Sequence, residues 1–311
     1  MSAVPIQVPE ALAASLVHFL GAGDGRAWAE QLPALAADLL ERWELRVDGA
    51  PAHGVVGLVL PVRRADGTGA VLKLQPVDEE TAGEPLALRA WEGRGAVRLL
   101  DHDPATGSML LERLDPGRSL LAVPDDLAAT GVLAGLLAEL TCRHAPSGVR
   151  TLAEIADAML ADVPRAYGEL AEEGDRRLLA DLAAALREVR PEPGDRLLHW
   201  DLHYGNVLAP SGPDARAPWL AIDPKPLAGD PGFELLPALR NRWSDLTATG
   251  DLPRALRRRF DLMTDRLGLD RDRAVRWTLA RVLQNVLWEV EDGARAVDDR
   301  QRAIASALLG R

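Results

Sequence analysis

The sequence predicts an α+β chain in two lobes, a small antiparallel sheet followed by a mostly helical part. Short apolar segments separated by turn signals crowd residues 1–115, while leucine-rich segments at helical spacing fill 116–311. A polar run at 199–206, set among short apolar segments between helices, marks where chemistry would sit. The expected division is therefore a lobe over 1–115 and a helical lobe over 116–311, the latter carrying that run.

Residues 7–20 carry a weak helical pattern, and 29–42 a better one with Leu32, Leu35, Leu39 and Leu40 on one side. Residues 43–47 read as a strand, 48–54 as a turn-rich loop, and 55–62 as a second strand. Asp66-Gly67 is a hairpin signal and 70–75 a third strand. A helix follows within 79–92. Proline is tolerated best in a first turn, so Pro85 favours a start at Glu84. A further hairpin joins 97–100 to 109–112 around Asp103-Pro104-Ala105-Thr106-Gly107.

Beyond residue 116 the period changes. Leu127, Leu133, Leu136, Leu137 and Leu140 mark one helix; Leu152, Ile155 and Met159 a second; Leu178, Leu179, Leu182, Leu186 and Val189 a third. Val275, Leu279, Val282, Leu283, Val286 and Val290 form the clearest amphipathic stripe in the chain.

With 311 residues, 47% of them apolar and 27% charged, the chain has the composition of a globular protein with a real core. A net charge of −11 argues against a nucleic-acid or anionic-membrane partner held by a broad basic surface. One cysteine, Cys142, excludes an internal disulfide, and no run approaches the roughly 20 apolar residues of a membrane helix. Cytoplasm is the expected compartment; monomer and homodimer both stay open.

The polar run reads His199-Trp200-Asp201-Leu202-His203-Tyr204-Gly205-Asn206, and Asp223 ends the short apolar segment Trp219-Leu220-Ala221-Ile222. Phosphoryl transfer needs a carboxylate to orient and deprotonate an acceptor hydroxyl, and oxygen ligands for Mg²⁺ against a triphosphate. Asp201 suits the first task, Asn206 and Asp223 the second. The chain has only two lysines, Lys73 and Lys225. Lys73 lies in an apolar strand, where a compact ammonium would suit phosphate oxygens. Glu80 and Glu84, one helical turn apart, are its candidate partners, with Glu84 nearer the apolar stripe. Gly54, in the glycine-rich loop 49–57, is a weak candidate for phosphate contact. A rival reading has His199, Asp201 and His203 alternating on one strand face as a zinc hydrolase site.

With these parts in order, the chain resembles the aminoglycoside phosphotransferase family, within it the streptomycin 6-phosphotransferase and hydroxyurea phosphotransferase branch. The carrying stretches are 70–81, 97–114, 199–208 and, most specifically, 218–234 with its Ile222-Asp223-Pro224-Lys225-Pro226 run. The resemblance implies a protein-kinase-like fold. It implies Asp201 as base, Asn206 and Asp223 on Mg²⁺, and Lys73 with Glu84 on the phosphates of ATP, GTP remaining open. It also implies Glu112, Arg113 and Leu114 as the hinge whose backbone meets adenine. The acceptor would be a small molecule, an aminocyclitol such as streptomycin, with hydroxyurea or another hydroxylated metabolite as the alternative. A non-catalytic nucleotide-binding module is the alternative of another class. For a cationic acceptor, His203, Asp230, Glu234, Trp243, Asp245, Trp288 and Glu289 are candidate wall residues, since carboxylates and indole faces both hold cations.

Overall fold

The computed structural model describes residues 6–212 and 216–310. Two helices open the chain, α1 (Glu10–Leu20) and α2 (Ala22–Arg42). They meet backbone to backbone at Gly25, where an added Cβ would lie 2.4 Å from the Leu16 carbonyl oxygen. The sheet follows as β1 (Arg46–Val47), β2 (Ala52–His53), β3 (Leu58–Arg63) and β4 (Gly69–Leu74). After α3 (Glu84–Trp91) it is completed by β5 (Leu99–Asp103) and β6 (Ser108–Glu112). The order is β1-β3-β4-β6-β5 with β2 also on β3, and every pairing is antiparallel.

The strand period sorts the sheet's faces. Leu58, Leu60, Val62, Ala70, Leu72, Leu74 and Leu110 form one apolar cluster with Leu12, Leu16, Leu32, Ala36 and Leu39 of the two helices. Alternate positions face the other way. Met109 and Leu111 join a second cluster with Leu88 and Trp91 of α3, and that cluster runs on into the helical part of the chain. Lys73 lies between Leu72 and Leu74, so it points away from α1 and α2, toward the junction of the two parts.

Two expectations need correction. The strand over 43–47 shrinks to two residues, because α2 runs to Arg42 and Glu44 turns the chain with φ 52°. The second helix starts at Ala22, not 29, and contains Pro33. Pro85 sits in the first turn of α3, as its lack of an N–H requires.

The chain then passes through β7 (Leu114–Ser119) into α4 (Asp126–Leu140), β8 (Arg150–Thr151), α5 (Leu152–Glu169) and α6 (Glu173–Val189). Asp125 caps α4, and Thr151 with Glu154 forms a reciprocal capping box at α5. Next come β9 (Arg196–Leu198), β10 (Val207–Pro210), β11 (Leu220–Ala221) and β12 (Leu227–Gly229). They make two small sheets, β11-β10-β7 and β8-β12-β9. The remainder is helical: α7 (Leu236–Arg240), α8 (Trp243–Ala248), α9 (Leu252–Leu267), α10 (Arg271–Glu291) and α11 (Asp299–Leu309). Among the described residues no helix is long and apolar enough to cross a membrane.

Candidate active site

The small sheets set the site's geometry. β9 delivers the chain to His199, and β10 carries it away from Asn206. Pairing of β10 with β11 brings Asn206 beside Asp223: the Ile222 N–H donates to the Asn206 carbonyl at 2.9 Å. Lys225 N–H closes the loop onto the His199 carbonyl at 3.0 Å. Trp200 and Asp223 both adopt positive φ, 64° and 59°. Strained backbone of this kind persists only where its surroundings over-determine it, and it gathers at functional sites.

Those surroundings can be named. His199 is fully buried, and its Nε2 lies 3.0 Å from the Ile222 carbonyl, which can only accept. Nε2 therefore donates, and Nδ1 is left to accept the Asp201 N–H at 3.4 Å. Burial pushes the His199 imidazole down to about 4, so it is neutral at physiological pH. Glu234, also fully buried, accepts the Trp200 N–H at 2.8 Å, and burial pushes its carboxyl up to about 7. The Trp200 indole is flanked by two guanidinium groups, Arg150 and Arg281, each 5.0 Å from the ring centroid. Tyr204 is buried with its hydroxyl 2.7 Å from Thr130 Oγ1 and its ring within about 6 Å of the Arg242 and Arg259 guanidinium groups.

Lys73 projects from β4 into the cleft between the parts. Its Nζ donates to both Glu84 oxygens at 2.8 Å and to Asp223 Oδ1 at 2.5 Å. Burial disfavours the ammonium, but Glu84 and Asp223 outweigh it and its pKa rises. The Lys73 charge in turn holds Asp223 below the usual carboxylate range. Gln75, two residues along the same strand face, adds a 2.6 Å bond from Nε2 to Glu84. Glu80, the other candidate for Lys73, instead pairs with Lys225 at 2.9 Å.

Asp201 turns its main chain inward. Its carbonyl accepts from the His203 N–H and from Asn206 Nδ2, both at 3.0 Å. Among the described residues no donor bonds its carboxylate. Burial raises the carboxyl's pKa, opposed most strongly by the Lys225 charge, then by His203 and Arg281. Asn206 Nδ2 is spent on that carbonyl, so its amide oxygen is left over, and Lys73 occupies one oxygen of Asp223. An amide oxygen and a carboxylate side by side fit Mg²⁺, which prefers hard oxygen ligands and takes few from protein.

The remaining sequence candidates fall in several places. His203 Nδ1 accepts the Gly205 N–H at 3.0 Å, so it braces the loop. His199 is likewise committed to a carbonyl, so the two histidines do not share a metal-facing surface and the zinc site does not assemble. Gly54 N–H donates to the Gly57 carbonyl at 3.0 Å, closing its own turn instead of facing a phosphate. At the β6–β7 junction, the Glu112 carboxylate receives the Arg98 N–H at 2.9 Å and the Arg216 guanidinium. Arg113 reaches Asp48 at 2.6 Å, and Leu114 starts β7.

The acidic wall expected for a cationic acceptor is not assembled from the nominated residues. Asp230 caps the turn at 231–234 and pairs with Arg273 at 2.7 Å. Asp245 pairs with Arg242 at 2.6 Å, behind Tyr204, and Trp243 lies beside Arg300 at 5.8 Å. Glu289 receives Gln301 Nε2 at 3.2 Å, and Glu234 is spent on the loop backbone. Trp288 alone among them keeps an open face near Asp201: it is 39% exposed, 6.2 Å from Trp200 and 5.1 Å from the Arg281 guanidinium. Arg150, Arg281, Gln75 and Lys225 drew no role from the sequence. For Gln75 the signal was present, since i and i+2 share a strand face. Arg281 stands two helical turns before Trp288, inside a stripe that reads as core.

Fold and site together define a phosphotransferase of protein-kinase-like architecture. A thermostable aminoglycoside phosphotransferase, solved as a ternary complex with ADP and hygromycin B, shares this fold. Its TM-score is 0.57 at 13% identity, over 89% of this chain and 98% of that one. Residues 42–293 match the family model for aminoglycoside/hydroxyurea antibiotic resistance kinases, and the chain belongs to that family. It is 58% identical to a streptomycin 6-kinase of Streptomyces glaucescens, over 98% of each chain. It is equally 58% identical to a hydroxyurea phosphotransferase of Kitasatospora aureofaciens, over 98% of this chain and 87% of that one. The chain is therefore a kinase that uses a nucleotide to phosphorylate a hydroxyl of a small molecule.

Proposed function

We propose that this kinase transfers the γ-phosphoryl group of ATP to a hydroxyl of an aminocyclitol antibiotic, with streptomycin the first acceptor to test. The supporting observation is the chain of charge from Glu84 through Lys73 to Asp223, together with an Asp201 carboxylate that no donor among the described residues satisfies. Residues 1–115 hold the nucleotide in this reading and 116–311 the acceptor. Lys73 meets the phosphates, with Glu84 and Gln75 fixing its position. Asn206 and Asp223 would hold Mg²⁺, which would neutralise phosphate charge. Asp201 orients the acceptor hydroxyl and takes its proton. The buried Glu234, His199 and Tyr204 keep the loop rigid enough for that geometry to cost little at the moment of transfer.

The 58% identity to a hydroxyurea phosphotransferase favours one second reading, hydroxyurea as acceptor. In this scheme its N-hydroxyl would take the place of the antibiotic's hydroxyl at Asp201.

The test mixes purified protein, ATP, Mg²⁺ and either acceptor and follows product mass. Gain of one phosphate on streptomycin, lost in Asp201→Asn, is the expected outcome. General-base catalysis contributes roughly 100- to 10,000-fold, so kcat should fall by that order while ATP binding stays within a few-fold. Unchanged turnover in Asp201→Asn would remove Asp201 from the chemistry. Phosphate on hydroxyurea alone would replace the acceptor.

A further inference from the structure

Lysine is almost absent from this chain. Of 36 lysines and arginines two are lysine, and both fold into one cleft. Lys73 is accounted for by Glu84 and Asp223. Lys225 is not. It follows Asp223 by two residues, and its backbone is fixed to His199 by the 3.0 Å bond already described. Its Nζ meets Glu80 Oε2 at 2.9 Å, with side-chain exposures of 39% and 33%, so the pair faces the open cleft. It is the cation that acts most strongly on Asp201, and it acts on Asp223 as well. Glu80 lies in the segment between β4 and α3, which reaches the same place from the sheet side. An added Cβ at Gly83 would lie 2.8 Å from Pro226 Cγ.

An ammonium whose charge is felt by both a proposed base and a proposed metal ligand is well placed to meet the phosphoryl group that passes between them. A half-exposed ion pair contributes little, so Glu80 is a partner that a triphosphate readily displaces. Lysine rather than arginine suits the task, being a compact charge on a flexible stem that can follow a moving phosphoryl group. We propose that Lys225 is a catalytic residue, whose ammonium leaves Glu80 to hold the oxygens of the phosphoryl group between Asp201 and Asp223. This rests on the kinase reading of the site. In the transfer, the bond between the γ-phosphorus and its bridging oxygen breaks, and the electron pair goes to ADP. The acceptor oxygen bonds to phosphorus, and its proton goes to Asp201. Lys225 exchanges no atoms and supplies charge.

The experiment compares the wild type with Lys225→Met, Lys225→Arg and Glu80→Gln. It measures turnover, and separately the affinities for ADP and for a non-hydrolysable ATP analogue, both with Mg²⁺. Loss of one charge-stabilising group costs roughly 100- to 1,000-fold in kcat, so Lys225→Met should lose that much. Its analogue affinity should weaken roughly tenfold while ADP affinity holds, since only the analogue carries the third phosphate. Lys225→Arg should recover part of both losses, and Glu80→Gln should keep kcat within a few-fold. Equal losses in Lys225→Met and Glu80→Gln, with no further loss in the double variant, would make the pair a mere tether and overturn the proposal. So would a Lys225→Met variant with unchanged analogue affinity and turnover. If the wild type turns over neither acceptor, the acceptor reading fails, and the analogue-against-ADP comparison still decides Lys225.

Discussion

Glu234 and His199 are buried side by side behind Asp201, and their titrations pull stability in opposite directions. The Glu234 carboxyl sits at about 7 in the fold against 4.5 unfolded. The folded chain therefore binds the extra proton between those values, and this contribution is lost as pH rises through the window. His199 sits at about 4 against 6.5, so the unfolded chain binds the extra proton and stability is lost as pH falls through the window. In the wild type the two largely cancel. Glu234→Gln keeps an oxygen for the Trp200 N–H but has no proton to lose. Its stability relative to wild type should rise between pH 5 and pH 8 by up to about 3 kcal/mol, at 1.36 kcal/mol per pKa unit. Urea unfolding at the two pH values checks this; a difference that stays flat would show Glu234 ionised throughout. Little of this was legible in the sequence. The His199–Asn206 pattern identified the loop, but a glutamate 35 positions beyond His199 looked like substrate wall because only folding reveals that it faces backbone amides.

At the scale of elements, Arg259 of α9 is fully buried and does the work of a rivet. Its Nε and Nη2 meet Asp126 at the start of α4 at 2.9 and 2.5 Å, and its Nη1 meets the Ala238 and Asn241 carbonyls at 3.0 and 2.8 Å. Arg259→Met would strip Asp126 of its two nearest donors and remove the donors that Arg259 gives to the Ala238 and Asn241 carbonyls, at a cost of about 3 kcal/mol. Thermal unfolding should show a correspondingly large drop in Tm, and a shift of a degree or two would refute it. Gly25→Ala should also destabilise, by about 1–3 kcal/mol, because α1 and α2 must part to admit the methyl group; thermal unfolding reads this too. That glycine explains why α2 was under-read: Ala22-Gly23-Asp24-Gly25 is a poor helix former, and packing overrides propensity there. Where periodicity was strong, as in α4, α6 and α10, local pattern and tertiary packing agree and the elements were legible. The acidic wall was not: Asp230 is answered by Arg273, 43 positions on, which no local pattern links to it, and Asp245 by Arg242 at i,i+3 spacing, a pair as compatible with a solvated face as with a site.

Across the whole molecule, β6 is the party wall. Leu110 faces the cluster under α1 and α2, while Met109 and Leu111 face the cluster shared with the helical part. Amide exchange should therefore be slowest within the sheet at β4 and β6, and fastest at the two-residue strands β1 and β2. Uniform exchange across the sheet would show that the two clusters open together. The lysine economy has a practical side. Amine-directed chemistry, whether a dye ester, an activated bead or formaldehyde, finds few primary amines on this protein apart from the chain's amino terminus. Lys73 is buried and bonded, so the side chain left to react is Lys225, inside the cleft. A routine conjugation would land on the machinery itself, and a fluorophore placed there would report nucleotide and acceptor by being crowded out.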